Sequence, residues 1–206
     1  MTKAIISFVI LFALTSASSI VFINNFKLVI LIHLVIIGFV VFNNQKILKK
    51  IVKNAHPFKV ADLLITSISI HLLISYFILN YLDTPNWPFN PEGTSFLIMN
   101  DFYVYAKPID VLLQQLLISI LILKLHREGL ALNLITKILV IGFGAIHILQ
   151  IFRLDLLIGL LFAFAAIILS FIFPYLLLKK KYGYVYNYMI HLGIYSAAAV
   201  LTYTLY

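Results

Sequence analysis

The chain has no cysteine and only seven acidic residues among 206, and each shortage excludes a class of protein. Without cysteine, neither a disulfide scaffold nor a thiolate metal site can form. Charged residues of both signs make up 11% of the chain, which is too little to solvate the surface of a soluble domain of this length. The protein therefore belongs in a membrane.

What the chain does have is long apolar runs. Hydrophobic residues account for 63% of it, and its mean hydropathy is +1.08. The runs are close to the roughly 20 residues that an α-helix needs to cross a bilayer. We predict an all-α polytopic membrane helix bundle of about seven transmembrane helices. They are Ala4–Ile23, Phe26–Phe42, Asp62–Leu82, Phe102–Leu123, Leu134–Phe152, Leu156–Leu178 and Tyr184–Tyr206.

The first run resembles a secretory signal peptide, because Lys3 precedes it and the small residues Ser16–Ser18 lie inside it. The apolar residues continue past those small residues, far enough to span a bilayer, so we expect an uncleaved first helix. A long polar loop divides the chain into two regions. These are an amino-terminal three-helix membrane region with an outer loop, residues 1–101, and a four-helix core, residues 102–206.

The net charge of +8 comes from basic residues that lie mainly between the apolar runs. Asn43–Lys59 has five lysines and no acid, Lys179–Lys181 is a second basic loop, and Asp83–Asp101 carries three acids. Basic loops stay on the cytoplasmic side of a membrane. We therefore predict a cytoplasmic amino terminus and an outer Asp83–Asp101 loop, in the cell (inner) membrane. The positions of the basic residues thus explain the net charge of +8 by membrane topology, and we predict no nucleic-acid partner.

The lysine-rich segment Asn43–Lys59 also has apolar residues at helical spacing, which favours a helix lying in the membrane interface. Its lysines have two interpretations. They bind anionic lipid, or they only mark the cytoplasmic side of the membrane. We favour the second interpretation because the positive-inside rule already requires lysines in this position.

Polar residues inside the apolar runs are the candidates for function. Asp110 and Gln114 are four residues apart and share one helix face, while Gln115 lies about 100° further around that helix. His147 and His191 lie in two later runs. Ionisable groups within a membrane usually face the bundle interior and mark functional sites. The alternative is that such residues only join two helices by hydrogen bonds.

His33 and His71 fit that alternative better, because neither has a strongly polar residue one helical turn away.

The order of the polar motifs resembles the CPBP family, the intramembrane peptidases that include the CAAX prenyl proteases. The family pattern is E-E-x-x-x-R, then F-x-x-x-H, then a late H-x-x-x-N. Phe143 and His147 match the second motif, and His191 matches the histidine of the third. The resemblance covers roughly Tyr103–Val200. It implies a peptidase scaffold that acts on a membrane-anchored peptide or protein.

Three positions depart from the family pattern. Gln114-Gln115 replaces the two glutamates, Ser119 replaces the arginine and Tyr195 replaces the asparagine. In the family, the first glutamate activates a water molecule while the histidines bind or polarise it. A neutral amide cannot accept that proton; it can only orient water or donate to an oxyanion. The resemblance therefore implies a peptidase site that lacks the family's base.

Combining the residues with the resemblance, we predict a site formed by Gln114, Gln115, His147 and His191, with Asp110 as a displaced base. We predict no cofactor and no metal, because the two histidines would need Asp110 as a third ligand.

Several functions stay open. The chain is an impaired peptidase, or a non-catalytic binding subunit with a membrane-protein partner, or a small transporter whose buried polar groups line a pathway. A deliberate glutamate-to-glutamine variant of an active enzyme would leave Ser119 unexplained.

The absence of native cysteine makes the orientation testable by thiol labelling. Cysteine introduced at Asn90 should react with a membrane-impermeant reagent on intact cells, because the acidic loop is expected outside. Cysteine introduced at Lys180 is the matched control and should react only after lysis. Labelling at Asn90 that requires lysis would reverse the assigned orientation.

Overall fold

The structure of the chain is a computed structural model that describes residues 2–21, 25–52, 55–84, 99–150 and 156–205. The described residues form seven α-helices. They are α1 Thr2–Val21, α2 Phe26–Val52, α3 Pro57–Tyr81, α4 Lys107–Arg127, α5 Leu132–Gln150, α6 Leu156–Lys179 and α7 Gly183–Leu205. A π-helical turn, Phe102–Ala106, leads directly into α4. The predicted all-α polytopic bundle is confirmed.

Five stretches in the described residues are long and apolar enough to cross a membrane. They are Phe26–Lys49, Pro57–Tyr81, Phe102–Arg127, Leu156–Lys179 and Gly183–Leu205. The first and fifth predicted spans contribute shorter apolar stretches, Ile5–Thr15 and Leu132–Ile148. The five long spans indicate an integral membrane protein. That α1 and α5 also cross the membrane stays a prediction.

Helix α2 continues past its predicted end at Phe42 but bends at Asn44, whose backbone leaves the helical region (φ −119°, ψ 18°). The side-chain amides of Asn43 and Asn44 donate to the carbonyls of Phe39 and Val40, at 2.8 and 2.9 Å. Side chains that bond to the preceding turn compete with the backbone ladder and favour bends. The lysine-rich segment therefore begins as a bent continuation of α2.

Helix α4 is the centre of the bundle: most of its residues are buried, because other helices cover it on several sides. Leu113, Leu116, Leu117 and Ile120 pack against α2, chiefly at Val40, and against α1. Ile118, Leu121, Ile122 and Leu125 pack against α5 and α6. Val111 contacts Tyr188 and Leu192 of α7. The polar residues of α4 are therefore held inside the protein.

Helix α3 packs against α7 and against the π-helical turn, and a buried histidine joins the three elements. His71 Nδ1 lies 2.9 Å from Ser196 Oγ, and its Nε2 lies 3.1 Å from the carbonyl oxygen of Tyr103. Both ring nitrogens are thus used between helices, as expected for a histidine that joins helices. His33 on α2 is also fully buried.

The basic ends of the helices gather at one end of the bundle. Lys46 at the bend of α2 and Lys124 and Arg127 at the end of α4 line one cleft. The Lys59 ammonium, at the start of α3, lies 5.5 Å from the ring centroid of Tyr182, just before α7. Successive loops lie on alternate sides of a helix bundle, so these basic helix ends are expected on one side. That this side is cytoplasmic stays a prediction. Most of the Asp83–Asp101 loop and the predicted break at Arg153–Asp155 lie outside the described residues.

The turn between α6 and α7 requires glycine at position 183. A Cβ atom there would lie 1.9 Å from the Leu176 carbonyl oxygen and 2.8 Å from Leu177 Cα, and backbone atoms cannot yield as a flexible side chain can. Gly183→Ala should therefore lower the thermal unfolding temperature in detergent. Gly193→Ala on the same helix is the control, because open space surrounds its Cβ position and alanine favours a helix by about 1 kcal/mol. Equal melting of the two variants would contradict this account of the turn.

Candidate functional site

A cavity of about 140 Å³ lies between α4, α5, α6 and α7, and α1 closes it through Phe12. Its polar wall comprises Gln114 of α4, His147 of α5, Ser170 of α6 and His191 and Tyr195 of α7. The rest of the lining is apolar and rich in rings: Phe12, Ile118, Phe143, Ile146, Phe162, Ala165, Ala166, Leu169, Phe173 and Ile194. We call this the aromatic cavity. The fold thus brings three of the five predicted site residues to one wall.

Gln115 lies behind that wall and orients His191. The Gln115 side chain is wholly buried, and its Nε2 atom lies 2.8 Å from His191 Nδ1. An amide nitrogen can only donate, so His191 Nδ1 accepts this hydrogen bond and its Nε2 carries the ring proton. The rings of Phe173 and Tyr195 lie against the imidazole, at centroid distances of 5.7 and 5.4 Å. His191 is therefore held as a neutral donor.

His147 has the opposite tautomer, and its spacing from Phe143 explains why. Its Nδ1 atom lies 2.7 Å from the carbonyl oxygen of Phe143, one turn earlier on α5. A carbonyl can only accept, so Nδ1 carries the proton and Nε2 carries the lone pair. The two histidines of the cavity wall therefore offer one ring N–H donor, on His191, and one ring acceptor, on His147.

Asp110 is placed differently from the role predicted for it. Its Oδ2 atom accepts from Lys107 Nζ at 2.9 Å and from Gln114 Nε2 at 3.1 Å, and the Lys107 and Asp110 side chains are each only 5% exposed. Asp110 does not line the aromatic cavity. A carboxylate already bonded to a cation and an amide has its charge satisfied. This placement does not favour Asp110 as a displaced base.

Lys107 is the site residue that the sequence analysis missed. Its ammonium pairs with Asp110 and also lies 3.9 Å from the ring centroid of Tyr195, close enough for a cation–π interaction. The spacing of three residues between Lys107 and Asp110 was the signal that could have found it, since residues three apart share a helix face. Through Tyr195 and Gln114, the ion pair connects to two residues of the cavity wall.

Ser119, which the resemblance aligns with the family's arginine, is fully buried and is not among the residues that line the cavity. Its Oγ atom has no hydrogen-bond partner among the described residues. The positive charge near the site comes instead from Lys107, three turns earlier on α4.

Among the described residues, the lining of the aromatic cavity includes no carboxylate, thiol or amine. In the described parts of the chain, no group of three or more histidine, cysteine, aspartate or glutamate residues could hold a metal ion. What the wall offers is hydrogen bonding from two neutral imidazoles and an amide, surrounded by aromatic rings. This arrangement suits binding of a small polar group more than proton abstraction.

No protein-family model, curated protein or solved structure matches the chain.

The Lys107–Asp110 pair should be a major determinant of stability. Lys107→Met leaves the Asp110 carboxylate buried without its cation, and removing one partner of a buried pair costs about 3–5 kcal/mol. The double variant Lys107→Met/Asp110→Leu should recover much of this loss, because no charge remains. Chemical denaturation in detergent measures both variants.

Lys137→Met is the control for the loss of a lysine, since Lys137 is exposed on α5 and its replacement should change the free energy of unfolding by less than about 0.5 kcal/mol. A double variant that is less stable than Lys107→Met would contradict the ion-pair account.

Proposed function

We propose that the protein is a CPBP-like intramembrane scaffold that binds a membrane-tethered peptide in the aromatic cavity and has lost efficient hydrolysis. One observation carries the proposal. The three residues that the resemblance aligns with the family's motifs, Gln114, His147 and His191, line one cavity, while Asp110, the carboxylate on the same face of α4, is bound to Lys107.

The size and chemistry of the aromatic cavity support peptide binding. A dry protein cavity of about 150 Å³ holds a benzene-sized group, so this cavity admits one side chain or one peptide unit. A peptide unit carries one N–H donor and one carbonyl acceptor. The His191 Nε2–H group suits the carbonyl and the His147 Nε2 lone pair suits the N–H, while aromatic rings surround both.

The lack of a base supports the loss of hydrolysis. Peptide hydrolysis needs a group that takes a proton from the attacking water, and such a group must be within hydrogen-bond reach of that water. Gln114 cannot accept the proton, and its amide is bonded to Asp110. Among the described lining residues, His147 is the one with a free ring lone pair. Its described hydrogen-bond partner is the carbonyl of Phe143, whereas a catalytic histidine is stabilised as an imidazolium by a carboxylate.

Filling the cavity tests the proposal. Ala166→Phe places a ring in the aromatic cavity, and Ala145→Phe places the same ring on an exposed face of α5 as the control. In proteoliposomes, photocrosslinking to a lipid-anchored peptide should fall about tenfold or more for Ala166→Phe and stay unchanged for Ala145→Phe. A tenfold loss corresponds to about 1.4 kcal/mol of binding free energy.

The same assay separates binding from turnover. The parent protein should crosslink the peptide without releasing a cleaved fragment. Multiple turnovers by the parent would show that hydrolysis survives and would overturn the non-catalytic part of the proposal. Equal crosslinking by Ala166→Phe and Ala145→Phe would show that the aromatic cavity is not the binding site.

A small transporter is the second candidate, and the buried Lys107–Asp110 pair favours it because ion pairs inside membranes often lie on substrate or proton pathways. Solute uptake into proteoliposomes that is lost in the double variant Lys107→Met/Asp110→Leu would support transport over peptide binding.

A further inference from the structure

A second cavity, of about 530 Å³, lies between the bend of α2 and the last turn of α4. Its lining comprises Phe42, Asn43, Asn44, Gln45, Lys46, Ile47, Lys124 and Arg127. We call it the basic cleft. It shares no lining residue with the aromatic cavity, so a role for it is independent of the function proposed above.

The basic cleft collects three cations from two helices that are far apart in sequence. Lys46 and Arg127 are exposed and Lys124 is half-buried, and the described residues of the lining include no acid. Like charges gathered in one cleft repel one another, so an anion bound among them would be stabilised.

Two general rules explain each cation separately but not their convergence. Cations at the end of α4 interact favourably with the negative end of the helix dipole. Lysines at the end of α2 are what the positive-inside rule expects on the cytoplasmic side of the membrane. Neither rule requires that the two sets surround one cleft. Asn44, where α2 bends, is itself part of the cleft lining and precedes Lys46 by two residues.

The position and the lining of the cleft indicate the kind of anion. The cleft lies where two membrane-spanning stretches end, which is the depth of the phospholipid headgroups. Phe42 and Ile47 give it an apolar side suited to acyl chains, and Arg127 can bind a phosphate through two parallel N–H groups. Basic pockets between transmembrane helices at the cytoplasmic side bind anionic headgroups.

We propose that the basic cleft binds the phosphate of an anionic phospholipid headgroup through Lys46, Lys124 and Arg127. The net positive lining discriminates against zwitterionic lipids, whose ammonium group these residues would repel. This assigns Lys46, just after the bend of α2, a binding role in addition to its topological one.

Lipid binding in nanodiscs tests the site. The parent protein in phosphatidylcholine nanodiscs should bind a fluorescent phosphatidylglycerol in preference to the same probe with a choline headgroup. The variant Lys46→Gln/Lys124→Gln/Arg127→Gln should lose roughly tenfold or more of this preference. The control is Lys179→Gln/Lys180→Gln/Lys181→Gln, which removes three exposed charges at the same end of the bundle but outside the cleft. The control variant should keep the preference.

Each remaining outcome has a defined meaning. Equal losses in the two triple variants would show general surface attraction and overturn the site, as would no loss in either. Competition by millimolar inorganic phosphate would show that the cleft takes free phosphate and would overturn the lipid assignment. Arg127→Gln, a single exposed change, should by itself reduce the preference several-fold, so a folding defect in the triple variant would not hide the result.

Discussion

The structure depends most on one constraint: a polar group inside the membrane must find its partner within the protein. The Lys107–Asp110 ion pair is where this constraint is strictest, because both charges are almost fully buried at the start of the central helix. Lys107 gains a second contact from the Tyr195 ring, and Asp110 gains one from the Gln114 amide. These contacts tie α4 to α7 at the depth of the aromatic cavity.

The same constraint orders the candidate site. Gln115 holds His191 across two helices, while Phe143 holds His147 within its own helix. Each imidazole is thereby held in one tautomer, and the two tautomers are opposite. A lining with one donor and one acceptor can recognise a peptide unit, and among the described residues it has no carboxylate to drive hydrolysis. This is the chemistry on which the proposed binding function rests.

Prediction from the sequence was most accurate where all the residues of a spacing pattern lie on one helix. The spacing of Asp110 and Gln114 placed them on one face, and the structure joins them by a hydrogen bond. The Phe143–His147 spacing likewise became a contact within α5. It placed the end of the second span at Phe42 with a further helix after it, and the structure has a bend at Asn44 within one helical stretch, Phe26–Val52. It also assigned Asp110 a base role without considering Lys107, the cation one turn before it.

The sequence by itself determined the class of protein and the number and approximate bounds of its helices, because apolar length and composition decide which segments can lie in hydrocarbon. It also determined which helix ends carry basic residues. Only the tertiary structure decided which polar residues meet. Gln115 contacts His191 and Lys107 contacts Tyr195, each from another helix, while Lys46 and Arg127 of two helices line one cleft. These arrangements depend on helix packing, which helical periodicity does not encode.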